Sequence, residues 1–273
     1  MNSFDSTFDL ELALCLTPEI GSASVSKILA KNALLGVQPE EFLRLREENL
    51  IKEYGLRESA AKAISNHDFL ERVENFKKKV RGKNVVLTTQ RSPIYPRRLE
   101  GFCQPPPVYV FLYGNYAALE GKTFCVLASR DASEEELAKV EKSVEAGVLE
   151  PMNLVSGANT NVYRRAAVVP LRWGAPRILV LDRGLFAALG DGLDREPFTA
   201  ARLWRYRFDP SVDLVVSPFR PDDKYAPINN RKRDECVVGL SDVVRWVYLR
   251  PGGNMEGLID RARNVGKIVE GVG

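Results

Sequence analysis

Histidine is nearly absent from this chain: His67 stands alone among 273 residues. That removes Ser-His-Asp and Cys-His nucleophile schemes and multi-histidine metal centres together, because each needs an imidazole held by a partner. His67 lies in a polar helical stretch and reads as a solvated surface side chain. Cysteine is sparse as well. Cys15, Cys103, Cys125 and Cys236 are far apart with no CxxC pair, so the simplest use is as buried thiols rather than metal ligands or disulfides. The three methionines are scattered. No run of about 18 apolar residues exists to span a membrane. The start, MNSFDSTFDLELAL, is acidic where a secretory leader is basic. The expectation is a cytoplasmic chain with no membrane contact, no metal and no cofactor. Any catalysis would have to use carboxylates, Lys, Arg or Tyr.

What is present suits a folded core. The composition is 45% hydrophobic and 27% charged, and the length fits one large domain or a medium domain with a small appendage. The net charge of +3 hides an asymmetry. Residues 131–150 carry seven acids against two lysines, whereas 151–233 carry 14 Lys/Arg against 8 Asp/Glu. A basic stretch of that kind is compatible with a groove for a polyanion, or with arginines spread over several faces.

The front of the chain reads as helical. Phe8–Leu16 and Ser24–Lys31 flank the turn Pro18-Glu19-Ile20-Gly21, and Glu40–Lys52 and Glu58–Asn66 flank Tyr54-Gly55-Leu56. This is the outline of a helix-hairpin-helix, or of a small packing domain. A further helix, Asp68–Val80, ends in Lys77-Lys78-Lys79, where lysines complement the helix dipole and need no ligand. Gly82 marks a boundary: residues 1–82 form a small all-helical domain, and 83–273 a second one.

From Val85 the pattern changes to short β-branched strands alternating with helices: Val85–Thr88, Val108–Tyr113, Phe124–Ala128, Asn153–Ser156, Arg177–Leu181, Leu214–Val216, Val243–Tyr248 and Ile268–Val269. Alternation predicts an α/β, Rossmann-like, mostly parallel sheet with helices on both faces. Such sheets bind ligands at the carboxyl ends of their strands. That end holds the turn Ala128-Ser129-Arg130, the turn Gly157-Ala158-Asn159-Thr160, Arg183, Gly184 and Gly252-Gly253. Small residues at a strand-to-helix handover let backbone N–H groups approach a phosphate, and Arg supplies a fork for phosphate or base edges. A phosphate-rich ligand follows, either a nucleotide or a nucleic acid. The stretch Arg202–Phe208 interleaves Arg with Trp, Tyr and Phe. That mixture suits single strands, whose bases stack on rings, and equally an amphipathic element that buries its aromatics.

Six segments resemble, in order, those of the DprA/Smf DNA-processing proteins. IYPRRLEGFCQPPPVYVFLYGN is similar to the YP-x-x-L and PP-x-x-L-x-x-G-N segment. VLASRDAS stands at the V-G-S-R-x-x-S turn and VSGANTNV at S-G-x-A-x-G-I-D. RILVLDRGL, DLVVSPF and RDECVVGLSDVVRWVYL resemble three later segments, the last being R-N-R-I-I-A-G-L-S-D. The resemblance runs from about Val85 to the end. It implies an extended Rossmann-like domain that binds single-stranded DNA without catalysis, protects incoming DNA, helps load a RecA-type recombinase in transformation, and forms homodimers through that domain. Carried over by position, it implies that Ser129, Arg130, Ser156, Gly157, Arg233 and Gly239 to Asp242 line a basic pocket. Asn159, Arg164, Arg165, Arg183, Asn230, Arg231, Lys232, Gly252 and Gly253 complete the DNA- or phosphate-binding candidates. The departures are Ala128 for a Gly, Asn161 and Tyr163 for the Gly and Asp of G-I-D, Asp234 and Glu235 for the N-R after Arg233, and Pro218 for a strand-end Glu. Two acids in a phosphate pocket oppose DNA.

Two other readings use the segment Arg250–Gly257, RPGGNMEG. It resembles the P-G-G-x-G-T-x-x-E signature of LOG-type nucleotide phosphoribohydrolases, with Ile259 where their Glu stands. It could also serve a non-catalytic nucleotide sensor built on Gly252-Gly253 and Arg130.

Overall fold

A computed structural model describes residues 6–66, 68–195 and 208–272. His67, the expected helix 198–204 and all of the Arg-aromatic stretch except Phe208 lie outside the described residues. The chain divides into two compact units, Met1–Lys83 and Asn84–Gly273.

The first unit is all helical: α1 (Ser6–Leu16), α2 (Ser22–Leu35), α3 (Pro39–Leu43), α4 (Glu47–Tyr54), α5 (Glu58–Ser65) and α6 (Asp68–Val80). Its core gathers Leu12, Leu14, Ile20, Ile28, Phe42, Leu50, Ala61, Phe69 and Val73, all buried. The sequence predicts one helix over Glu40–Lys52; the structure has two, broken at Arg44–Arg46. The reason is a tertiary contact. Phe42 meets Tyr54 edge-on with ring centroids 5.2 Å apart, whereas twelve residues of continuous helix would separate them by about 18 Å. The Tyr54 hydroxyl then donates to Asn32 Oδ1 at 2.6 Å. Lys77, from the lysine run, reaches buried Asp9 at 2.7 Å.

The second unit is an eight-stranded sheet. Its strands are β1 (Val85–Thr89), β2 (Tyr109–Gly114), β3 (Thr123–Ala128), β4 (Asn153–Gly157), β5 (Arg177–Val180), β6 (Leu214–Ser217), β7 (Val243–Tyr248) and β8 (Ile268–Gly271). The order is β1-β2-β6-β5-β4-β3-β7-β8. β2 runs antiparallel to both neighbours, and the other pairings are parallel. Helices α7 (Glu134–Leu149) and α8 (Asn161–Trp173) cover one face, while α10 (Asn229–Leu240) and α11 (Asn254–Asn264) pack on the other; the short α9 (Leu185–Leu189) follows β5. Strand β3 shows why two layers form. Phe124, Val126 and Ala128 belong to the core under α7 and α8, and Cys125 and Leu127 to the core under α10 and α11. A strand buried on both faces is apolar at every position. The sequence pattern omits α10 because its residues 229–235 are polar; Asn230, Arg233, Asp234 and Glu235 are buried nonetheless.

All four cysteines are buried free thiols. Among the described residues no helix is long and apolar enough to cross a membrane, and no group of three or more His, Cys, Asp or Glu is placed to hold a metal ion.

Helix α7 packs close to β3 because of Gly147. A Cβ there would lie 2.4 Å from the ring of Phe124, which is fully buried. Gly147→Ala should therefore destabilise: Ala gains about 1 kcal/mol of helix propensity, but overpacking a core costs roughly 1–3 kcal/mol and this ring has nowhere to go. A lower urea midpoint is expected; a higher one would show that the packing is slack.

Candidate functional site

The crossovers from β3 through β6 progress to one side of β3, and β7 lies on its other side. The topology therefore switches direction between β3 and β7, and a crevice opens at the carboxyl ends there. It contains a cleft of about 530 Å3 lined by residues after β3, residues after β7, and the first turns of α10.

Ser129 joins the two strand ends. Its N–H donates to Tyr248 O at 2.8 Å, and its Oγ accepts from the Arg250 N–H at 2.8 Å. Arg130 follows, exposed and without a partner among the described residues. Asp131 pairs with Arg250 at 2.7 Å, and that hydrogen bond holds the Asp131 carboxyl below its ordinary range. Side chains of the chain itself take some of the backbone donors at the starts of α7 and α11. In α7, Ser133 accepts from Glu136 N while Glu136 accepts from Ser133 N. At the Gly252-Gly253 turn, the Gly252 N–H donates to Glu256 Oε2 at 2.6 Å. The Gly252 N–H is thus occupied by a carboxylate and the Gly253 N–H by the Arg250 carbonyl, while the cleft's cationic groups are the side chains of Arg130, Arg231 and Arg250.

Behind the cleft is a buried polar network. Gly157 ends β4, and a Cβ there would lie 2.6 Å from the Tyr163 ring and 2.8 Å from Arg233 Cδ; glycine makes room for both. Arg233 is fully buried, with its guanidinium 4.9 Å from the centre of the Tyr163 ring. Its Nε donates to Asp234 Oδ1 at 2.8 Å and its Nη1 to Asn159 Oδ1. The Tyr163 hydroxyl donates to the same Asp234 Oδ1 at 2.8 Å; burial, and then the Asp234 charge, push that hydroxyl well above its usual pKa. Asn159 Nδ2 in turn donates to Asp182 Oδ2 and to Asn230 Oδ1 at 2.9 Å. Asp182 also accepts from Arg183 Nε at 2.8 Å. Glu235 lies between Arg231 (3.3 Å) and Arg261 (3.2 Å). Both acids that depart from the R-N-R pattern thus have cations of their own.

Of the sequence candidates, Ser129, Arg130, Asn230, Arg231 and Gly253 line the cleft. Ser156, Gly157, Asn159 and Arg233 build the wall behind it. Ser156 Oγ is turned inward to the carbonyls of Gly157 and Tyr163. Lys232 points away, to Pro218 O at 3.1 Å, and burial lowers its pKa. Arg183 lies over the Tyr225 ring at 5.1 Å. Arg164 is exposed on α8. Arg165 is bonded to Glu134 and Glu141 of α7, a clasp between neighbouring helices. Sequence reasoning missed Arg250 and Asp131 as a pair. Their signal was available, since Arg250 closely follows β7 as Arg130 follows β3. It also missed Pro227, and it took Asp234 only as an opposing charge.

The shared oxygen of Asp234 couples Tyr163 and Arg233, so their contributions should not add. Tyr163→Phe is expected to cost roughly 1.5–3 kcal/mol, the worth of a hydrogen bond to a charged group, and less in an Asp234→Asn background. Urea unfolding of the two singles and the double measures this; strict additivity would contradict the network.

The family model for DNA recombination-mediator protein A matches residues 86–251, over half of the chain. No curated protein matches the sequence. The X-ray structure of DNA processing protein A from Streptococcus pneumoniae is similar at 19% identity and TM-score 0.66, covering 99% of this chain and 87% of that one. DNA processing protein A from Helicobacter pylori, whose structure is described for its single-stranded DNA binding mode, is similar at 14% identity and TM-score 0.53, covering 70% of this chain and 81% of that one. At such identities the two structures bear on the fold, and the family model on membership. A mixed sheet that switches direction between β3 and β7, preceded by a helical unit and matched by that model over its central strands, places the chain in the DNA recombination-mediator protein A family, DprA.

Proposed function

We propose that this chain binds single-stranded DNA in the cleft between β3 and β7 and acts by binding rather than by catalysis. The observation that carries the reading is a separation of charge. The acids around the cleft have partners within the chain: Asp131, itself exposed, is paired with Arg250, Asp234 with Arg233, Glu235 with Arg231 and Arg261, and Glu256 with the Gly252 N–H. Arg130 carries no partner among the described residues, and Arg231 keeps its side chain 70% exposed while using Nε toward Glu235. Guanidiniums with free donors at the mouth of a cleft fit phosphates. The single-stranded DNA binding mode of the Helicobacter pylori protein supports the same ligand. In the cell, the role is that of a cytoplasmic homodimer that protects incoming strands and helps load a RecA-type recombinase during transformation.

The nucleotide-sensor and hydrolase readings lose ground on two observations. Glu256 occupies the Gly252 N–H that a nucleotide phosphate would need. Ile259, at the position of the hydrolase Glu, is fully buried in the core.

Arg130→Ala and Arg231→Ala should each weaken binding to strands of any sequence. Each should also flatten the slope of log affinity against log salt by about 0.7 for every phosphate that is no longer neutralised. Fluorescence anisotropy with a labelled dT oligomer reads both quantities. Unchanged affinity and slope in both variants would remove the cleft from the account.

A further inference from the structure

Asp234 has two carboxylate oxygens and the network uses one. Both Arg233 Nε and the Tyr163 hydroxyl are bonded to Oδ1. Among the described residues nothing donates to Oδ2, although the residue is 2% exposed and lines the cleft. An acceptor that lines an open cleft without a protein donor is left to solvent or to a ligand. The hydrogen bond to Arg233 Nε uses Oδ1 alone; an asparagine would keep that bond through its amide oxygen, though not the charge that Asp234 sets against the buried guanidinium. Asparagine is the residue of the R-N-R pattern at this position. It would turn an NH2 donor toward the cleft, whereas Asp234 turns an acceptor. The hydrogen-bonding sign of the cleft floor is therefore reversed here.

Around this acceptor the walls are of two kinds. Pro227 and Met255 present apolar surface, on which a base ring can lie, and a methionine sulfur is favourable against an aromatic edge. Arg130 and Arg231 stand at the mouth with donors to spare. A cleft lined by apolar surface, guanidinium donors and a carboxylate acceptor suits an unstacked base together with its phosphate.

We propose that the cleft takes one base of the bound strand and that Asp234 selects guanine. The inference rests on the strand-binding reading above. Guanine alone among the four bases presents two adjacent donors, N1–H and the N2 amino group, to an acidic oxygen, with O6 and N7 left as acceptors for guanidinium forks. Thymine flanks its one ring N–H with two carbonyls that a carboxylate repels. Adenine and cytosine offer a single amino group beside a ring acceptor. At 530 Å3 the cleft has room for a purine.

The test is competition binding with dT oligomers carrying one central dG, dA, dC or 1-methylguanine, on the wild type and on Asp234→Asn. The dG strand should bind the wild type roughly five- to tenfold tighter than plain dT, the low end of the discrimination that a matched base edge gives. The 1-methylguanine strand, whose donor edge is blocked, should fall back to the dT level; this arm needs no protein variant. In Asp234→Asn the ratio of dG to dT affinity should collapse to about one. Equal affinity for all strands, or a dG preference that survives 1-methylation or the Asn variant, would overturn the proposal. Failure of plain dT itself to bind would overturn the strand-binding reading along with it, and is recognised because it precedes any comparison of bases.

Discussion

A guanidinium is costly to bury unless its charge and most of its donors are met inside the protein; for Arg233 the Nε and Nη1 donors are met and Nη2 is not. Arg233 imposes that condition on everything at the carboxyl end of this sheet. It is fully buried behind the cleft, and Asp234, Asn159 and the Tyr163 ring are arranged around it. Each of those has a further obligation: Asn159 reaches Asp182 and Asn230, and Tyr163 is placed by the turn in which Thr160 caps α8. Gly157 is required where two of these side chains cross the strand end. The loops after β4 and β5 and the first turns of α10 thus become one rigid wall, and the residues facing solvent from that wall form one side of the cleft.

The same condition explains how two acids are tolerated. Relative to the R-N-R and G-I-D patterns, a carboxylate is lost at Tyr163 and one is gained at Asp234. These positions touch, since the Tyr163 hydroxyl donates to Asp234. In this chain the carboxylate that faces Arg233 stands on α10. Glu235 follows the same logic with Arg231 and Arg261. Local pairing leaves the rim guanidiniums to set the field seen by a polyanion, which is how a chain with a net charge of only +3 can offer it a cationic mouth.

The sheet was legible because strands such as β3 are apolar at every position and helices follow them at regular intervals. The carboxyl-end rule then placed Ser129, Arg130 and Gly253 without any structure. Burial of polar residues was not legible. The run Arg231-Lys232-Arg233 reads as an exposed basic cluster, yet only Arg231 is exposed, Lys232 is half-buried, and Arg233 is buried with the two acids that follow it. A 3.6-residue period marks apolar faces, and α10 begins with a polar face that is buried through pairing. Arg165 failed for a related reason: a sequence does not show that a neighbouring helix brings Glu134 and Glu141 to it. The break in the helix 40–52 was hidden as well, because it serves the meeting of Phe42 with Tyr54, which is tertiary.

The central claim is that internal pairing of the cleft acids leaves a site for single-stranded DNA. The most direct measurement is the affinity of the wild-type protein for a dT oligomer of about 30 nucleotides against the matching duplex, over a series of salt concentrations. The account predicts a preference for the single strand and an affinity that falls steeply as salt rises. Absence of binding at low salt, or equal binding to the duplex, would contradict it.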